Sequence, residues 1–202
     1  ATYSWTVVQS NVSGATAGFG ASINQTLTAT TSSAGTATYT ITPSAGGCTG
    51  TPIVVVVTVN PNPNVVALPA SQTICSGAVT NIGLSTTNGV GGVTYNWTRV
   101  DAGVSGVLVG TGTTIAETLT ATGSTPGTAT YTITPSAGGC NGTPITVIVT
   151  VNPLPDVVAA PNAETICSGT TSNIALSTTN GVAGATYSWT VVQSNVSGAT
   201  AG

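Results

Sequence analysis

Thr36-Ala37-Thr38-Tyr39-Thr40-Ile41-Thr42-Pro43-Ser44-Ala45-Gly46-Gly47-Cys48 occurs twice, returning unchanged as Thr128 to Cys140, 92 positions on. In the second copy Ala129, Tyr131 and Ile133 alternate with Thr128, Thr130, Thr132 and Thr134. That period of two predicts a strand with one face in a core and threonines towards water. The rest of the chain keeps the same interval. Trp5, Trp97 and Trp189 are spaced by 92, as are Cys48 and Cys140, and Cys75 and Cys167. Residues 1–60 align with 93–152 and 61–92 with 153–184 without a gap, and 1–18 are identical to 185–202.

A fixed interval of this kind is the mark of a repeat architecture. The Pro-rich stretches Val59-Asn60-Pro61-Asn62-Pro63-Asn64 and Val151-Asn152-Pro153-Leu154-Pro155-Asp156 each follow a strongly apolar strand. Proline lacks a ladder donor and stiffens the chain, so we read both as short, semi-rigid linkers. The expected division is 1–60 as the C-terminal two-thirds of one unit, 61–152 as a complete unit, and 153–202 as the N-terminal half of a third. Because the chain begins and stops at one phase of the period, we expect it to be a window on a longer tandem array.

Within 61–152 the strands can be placed. Val65 to Leu68, kinked at Pro69, continues as Thr73 to Cys75; Ser76-Gly77 is a turn; Asn81 to Ser85 alternates. Val93, Tyr95 and Trp97 share one face, Thr113 to Ala121 and Thr128 to Thr134 continue the pattern, and Ile145, Val147, Val149 and Val151 form a last long strand. No segment holds a helical period. Seven or eight short strands in about 92 residues, with a Trp on the third and a Tyr on the penultimate, predict an all-β fold of immunoglobulin-like sandwiches joined end to end. Trp5, Trp97, Trp189, Tyr39 and Tyr131 are the expected core aromatics.

Composition narrows the function. Only Arg99, Asp101, Glu117, Asp156 and Glu164 carry charge, 2% of the chain against about 25% in an average globular protein. One cation and a net charge of -3 cannot neutralise a phosphate backbone, so no nucleic-acid partner is expected. With no His and no Lys, the usual general bases, metal ligands and Schiff-base formers are missing, and an isopeptide clamp built on Lys is impossible. The longest apolar run, Ile53 to Val57, is far below the ~18 residues of a membrane span. No charged segment followed by an apolar one is visible in the first residues, so no signal peptide is expected within this window.

The strings Thr73-Ile74-Cys75-Ser76-Gly77, Tyr3-Ser4-Trp5-Thr6-Val7, Gly35 to Pro43, Gly47-Cys48-Thr49-Gly50-Thr51-Pro52 and Val57-Thr58-Val59-Asn60-Pro61 resemble the PKD-like/Ig-like tandem repeats of giant cell-surface proteins of gliding bacteria, the Bacteroidetes group. The resemblance covers the whole chain. It implies a cell-surface adhesin or filament, exported by the type IX pathway and associated with gliding motility.

Cys48, Cys75, Cys140 and Cys167, in a chain without His, point to structural disulfides and an oxidising, extracellular setting. Their spacings of 27 and 65 are unlike the short ligand spacing of a zinc site. Three states stay open: an internal Cys75–Cys140 bridge, bridges between successive units, or free thiols. Sandwich topology puts the first turn and the last hairpin at opposite poles, well over ~20 Å apart, whereas a disulfide spans about 7 Å. In a head-to-tail array those two poles meet across each joint.

Other chemistry finds little support. Asp101 and Glu117 could serve as a hydrolytic pair, but Gln9 and Gln25 stand there one period earlier, and Val7 stands for Arg99. Asp156 alone is too little for calcium. Outward threonine rows, which could serve ice binding, suit any wet sheet face. We therefore expect no enzyme, no metal and no cofactor. The expected role is a structural stalk repeat of a long extracellular fibre, giving reach and stiffness. The alternative is a polysaccharide-binding or laterally self-assembling filament or sheath repeat. Expected partners are neighbouring units of the same chain, lateral copies and surface glycans.

Overall fold

The computed structural model describes residues 1–106 and 109–202. Strands β1 (Thr2–Ser10), β2 (Val12–Ser13), β3 (Gly18–Phe19), β4 (Thr28–Ala29), β5 (Gly35–Ala45), β6 (Cys48–Thr49) and β7 (Ile53–Val59) come first. Next are β8 (Val66–Leu68), β9 (Ser71–Cys75), β10 (Ile82–Ser85), β11 (Thr94–Ala102), β12 (Val104–Ser105), β13 (Val109–Thr111), β14 (Thr114–Ile115), β15 (Thr120–Ala121), β16 (Gly127–Ala137), β17 (Cys140–Asn141) and β18 (Ile145–Asn152). The last are β19 (Val158–Ala160) and β20 (Ala175–Ser177). Among the described residues there is no helix, hence none long and apolar enough to cross a membrane.

β8 to β18 form a two-sheet, immunoglobulin-like sandwich. One sheet runs β13-β11-β16-β18-β9, with β17 folded back on β16, and the other runs β14-β10-β8. The first strand serves both sheets. Before Pro69 it pairs antiparallel with β10, and after it β9 runs parallel to β18, with Cys75 opposite Asn152. The inward residues of the two faces meet in one core: Ile82, Leu84, Tyr95, Trp97, Ile115, Leu119, Tyr131, Ile133, Val147, Val149 and Val151. The stretch Thr113 to Ala121 is not one strand, as its pattern predicts, but two short ones that change sheets. β14 pairs with β10 and β15 with β12. Between them, Glu117 exchanges hydrogen bonds with Thr80, whose hydroxyl accepts from the Glu117 N–H and whose N–H donates to the Glu117 carbonyl, both at 2.9 Å.

The same ladder recurs 92 positions earlier. β1 pairs with β5 from Thr2↔Ser44 to Ser10↔Thr36, and β11 with β16 from Thr94↔Ser136 to Ala102↔Thr128. In the first group Trp5, Val12, Ala37 and Tyr39 are buried together, but among the described residues no counterpart of the β14-β10-β8 sheet faces them. Ile53, Val55 and Val57 are therefore exposed where Val147 and Val149 are buried. Trp189, expected in a core, is 51% exposed. The strands that cover its counterparts Trp5 and Trp97, β5 and β16, start thirty residues further along the period.

Each tryptophan lies against a glycine thirteen positions on. A Cβ placed on Gly18 would come 2.8 Å from the Trp5 ring, on Gly110 2.5 Å from Trp97, and on Gly202 2.2 Å from Trp189. Only a residue without a side chain lets that edge strand cross the indole. The turn after β11 sets a second constraint. Gly103 has φ +70°, and its counterpart Asn11 has φ +56°, a left-handed conformation that Gly and Asn tolerate best. Gly110→Ala should displace Trp97 and destabilise the sandwich by about 1–3 kcal/mol, read as a lower urea midpoint with an altered tryptophan emission; unchanged unfolding would show that the ring has room.

Candidate functional site: a buried charge cluster and the joints between units

The chain's one cation lies in its core. Arg99 follows Trp97 on the inward face of β11 and is 5% exposed. Its Nε is 2.7 Å from Asp101 Oδ1, one terminal nitrogen donates to Asp101 Oδ2 at 2.9 Å, and the other donates to Glu117 Oε2 at 2.8 Å. The Tyr131 hydroxyl donates to the same Glu117 oxygen at 2.9 Å, and Trp97 Nε1 donates to Glu117 Oε1 at 3.2 Å. The guanidinium carbon sits 5.8 Å from the Tyr131 ring centroid, within cation–π range. Burial pushes the Tyr131 phenol up to about 12, Arg99 opposing and Glu117 adding to the rise. Arg99 and Asp101, two positions apart on β11, thus pair inside the sandwich.

Each group in this cluster is engaged by another of its members. Both carboxylates are held by one guanidinium, and the grooves of the structure are lined by other residues. One period earlier the same place is neutral. Tyr39 donates to Gln25 Oε1 at 2.8 Å, Gln25 Nε2 donates to the Thr16 carbonyl at 2.8 Å, and Trp5 Nε1 donates to that carbonyl at 3.0 Å. An ion cluster and an amide network are two fillings of one polar core. Removing one member of a buried ion cluster leaves its partners unpaired, at about 3–5 kcal/mol. Arg99→Val alone should therefore lower stability by about 3 kcal/mol in chemical unfolding at neutral pH. The triple variant R99V/D101Q/E117Q, which copies Val7, Gln9 and Gln25, should recover most of that loss.

The repeated features of the molecule are the joints. At the first, Asn64 Oδ1 accepts from Thr86 Oγ1 (2.6 Å) and from the backbone N–H groups of Thr87 (3.0 Å) and Asn88 (3.2 Å), while Asn88 Nδ2 donates to the Asn62 carbonyl at 2.9 Å. At the second, Asp156 Oδ1 accepts from the N–H groups of Thr179 (2.9 Å) and Asn180 (3.2 Å), the Thr179 hydroxyl donates to Asp156 Oδ2, and Asn180 Nδ2 donates to the Leu154 carbonyl at 2.7 Å. Each linker is thus pinned to the turn of the unit that follows. Gly89 lies beside Ser32, and Gly181 beside Ser124. A groove of about 530 Å³ lies at the first joint, lined by residues 27–32, 59–62, Asn88 and Val90. Its counterpart of about 400 Å³ at the second is lined by residues 121–124, Pro153, Leu154, Asn180, Val182 and Ser76.

The Thr179 hydroxyl, with help from the Thr179 and Asn180 N–H groups, holds the Asp156 carboxyl below the usual carboxylate range. A depressed folded value means the contribution is present above the unfolded pKa and is lost as pH falls through the folded one. Acidification should thus loosen the second joint and leave the first, held by Asn64, unaffected. Amide NMR of Thr179 and Thr87 across pH 6 to 2 reads the difference, and Asp156→Asn should abolish it.

The expected disulfide cysteines Cys48, Cys75, Cys140 and Cys167 are all unpaired. For Cys75 and Cys140 the register gives the reason. Cys75 is level with Asn152, beyond the Gly127 end of β16, and Cys140 is level with Ala137 at its other end. Ten residues of strand at ~3.3 Å each separate those ends by about 33 Å, which excludes an internal bridge. Trp97, Tyr131, Trp5 and Tyr39 are buried and Trp189 is not. The residues that sequence reasoning missed are Asn64, Asn88 and their counterparts Asp156 and Asn180. Their placement in linkers and turns, repeated at one interval, was the available signal. Among the described residues no three of His, Cys, Asp and Glu gather as a metal site.

The profile of the PKD-like domain matches residues 1–63 and 72–155. The chain belongs to the PKD-like domain family. Comparison with curated proteins gives no significant match. PKD-like domains are typically extracellular, of structural or adhesive type, and in general not catalytic.

Proposed function

We propose that this chain is a stalk segment of a long extracellular surface protein, an adhesin or fibre, whose PKD-like units give reach and stiffness. The observation that carries the reading is the joint built twice on one plan: a Pro-bearing linker held through an Asn or Asp to the next unit's turn. A linker restrained in this way transmits direction from unit to unit, as a flexible tether does not. The scarcity of charge serves the same end, since neighbouring units do not repel and the stack is insensitive to salt. Placement on a bacterial surface, export by the type IX route and a link to gliding belong to this proposal. Its partners are neighbouring units of the same chain, with lateral copies as further contacts.

A glycan platform needs an outward aromatic patch on every unit. The most exposed aromatic, Phe19, is Thr111 one period later, which favours the spacer. Small-angle scattering from chains of increasing unit number decides. The maximum dimension should grow linearly by on the order of 40 Å per unit, from an eleven-residue strand plus linker, and should not change with salt. Growth as a compact globule, or specific glycan affinity in an array screen, would overturn the reading.

A further inference from the structure

The unpaired cysteines occupy the two ends of the sandwich, and each end adjoins a joint. At the outgoing end, Cys75 is the ladder partner of Asn152, and the Ser76 N–H donates to the Asn152 carbonyl at 2.8 Å. Ser76 itself lines the groove of the second joint. At the incoming end, the hairpin Ala137–Cys140 is folded against the preceding linker. Asn60 Nδ2 donates to the Gly138 carbonyl at 2.7 Å, and a Cβ on Gly142 would collide with the Pro63 carbonyl. Ala137 and Gly138 line a groove there with Ser32, Asn60, Pro61 and Val90.

Asn60 and Asn152 are one position, 92 apart, and the two joints share their hydrogen bonds. Overlaying one joint on the other gives the full set of neighbours of that asparagine. Across the ladder stands the first-turn cysteine of the unit being left. On its side-chain amide hangs the hairpin of the unit being entered, whose cysteine is two residues on. We infer that a disulfide links these two cysteines at every complete joint, so that Cys75 pairs with the hairpin cysteine of the next unit and Cys140 with the first-turn cysteine of the unit before. No two of the four cysteines in residues 1–202 share a joint, which accounts for their being unpaired. Cys75, Cys48 and Cys167 are exposed and Cys140 partly so, open to an oxidant. The step is thiol–disulfide exchange. Two thiols give up two protons and two electrons, one S–S bond forms, and the disulfide of an oxidised small thiol or oxidoreductase is cleaved to two thiols. The glycines of the hairpin, Gly138 and Gly139 at φ +55° and +79°, put its tip in a tight turn with Cys140 at its edge.

The inference rests on the stalk reading and is tested apart from it. Residues 19–110 are appended once more after Gly202, which supplies the third unit's hairpin and with it a copy of Cys48. The extended chain and the original are exposed to oxidised glutathione, digested without reduction and mapped by mass spectrometry. The expected result is one bridge between Cys75 and the appended copy of Cys48, lost in the Cys75→Ser variant, with no bridge inside the original chain. Four residues inserted between Pro153 and Leu154 should reduce its yield at least tenfold. A Cys75–Cys140 bridge in either chain, a Cys75 that stays free in the extended chain, or a yield indifferent to the insertion would each overturn it. Scattering on the same samples separates the two readings, because an extended stack with free thiols keeps the spacer and loses the bridge.

Discussion

Nine consecutive residue pairs, Thr94↔Ser136 to Ala102↔Thr128, join β11 to β16, and almost everything else in the sandwich is placed from this ladder. It aligns Trp97 with Ile133 and Arg99 with Tyr131, so the aromatic core and the charge cluster are set by one register. A slip of one residue would turn Tyr95, Trp97 and Arg99 to water and bring threonines inward. β18 pairs on the far side of β16, and its apolar residues complete the same layer. The ladder is also the rod of each unit, since its ends mark the two poles at which linkers enter and leave.

With so few ions, polar satisfaction falls to amides and hydroxyls. Asn64, Asn88, Gln25 and Thr80 each make two or more hydrogen bonds to backbone or side chain. The Arg99 cluster and Asp156 are exceptions, and the neutral version of the cluster in the first group shows that charge is not required there. Buried ion clusters of this kind are often no more stabilising than their uncharged replacements, and this chain carries both solutions in equivalent places.

Much of the fold was legible because β16 and β18 alternate without interruption and a repeat offers each pattern more than once. The inward positions Ala129, Tyr131 and Ile133, and Val147, Val149 and Val151, follow from period two alone. What could not be read depended on contacts between distant segments. The split of residues 113–121 between two sheets is set by Thr80, over thirty positions earlier. The burial of Arg99 depends on Glu117, whose side chain reaches the guanidinium from the connection between β14 and β15. Trp189 has a core sequence around it but lacks the strand that makes a core position. At the joints the prolines were visible as linkers, whereas the asparagines that fix them looked like ordinary turn residues.

Asn64 and Asp156 differ in charge yet receive the same backbone donors. At both joints of this chain the linker is therefore held by main-chain donors, which do not depend on the identity of the facing side chains. Unequal recombination between such near-identical coding segments would add or delete whole units and leave every remaining contact intact, so the length of the protein is free to vary under selection in steps of one unit.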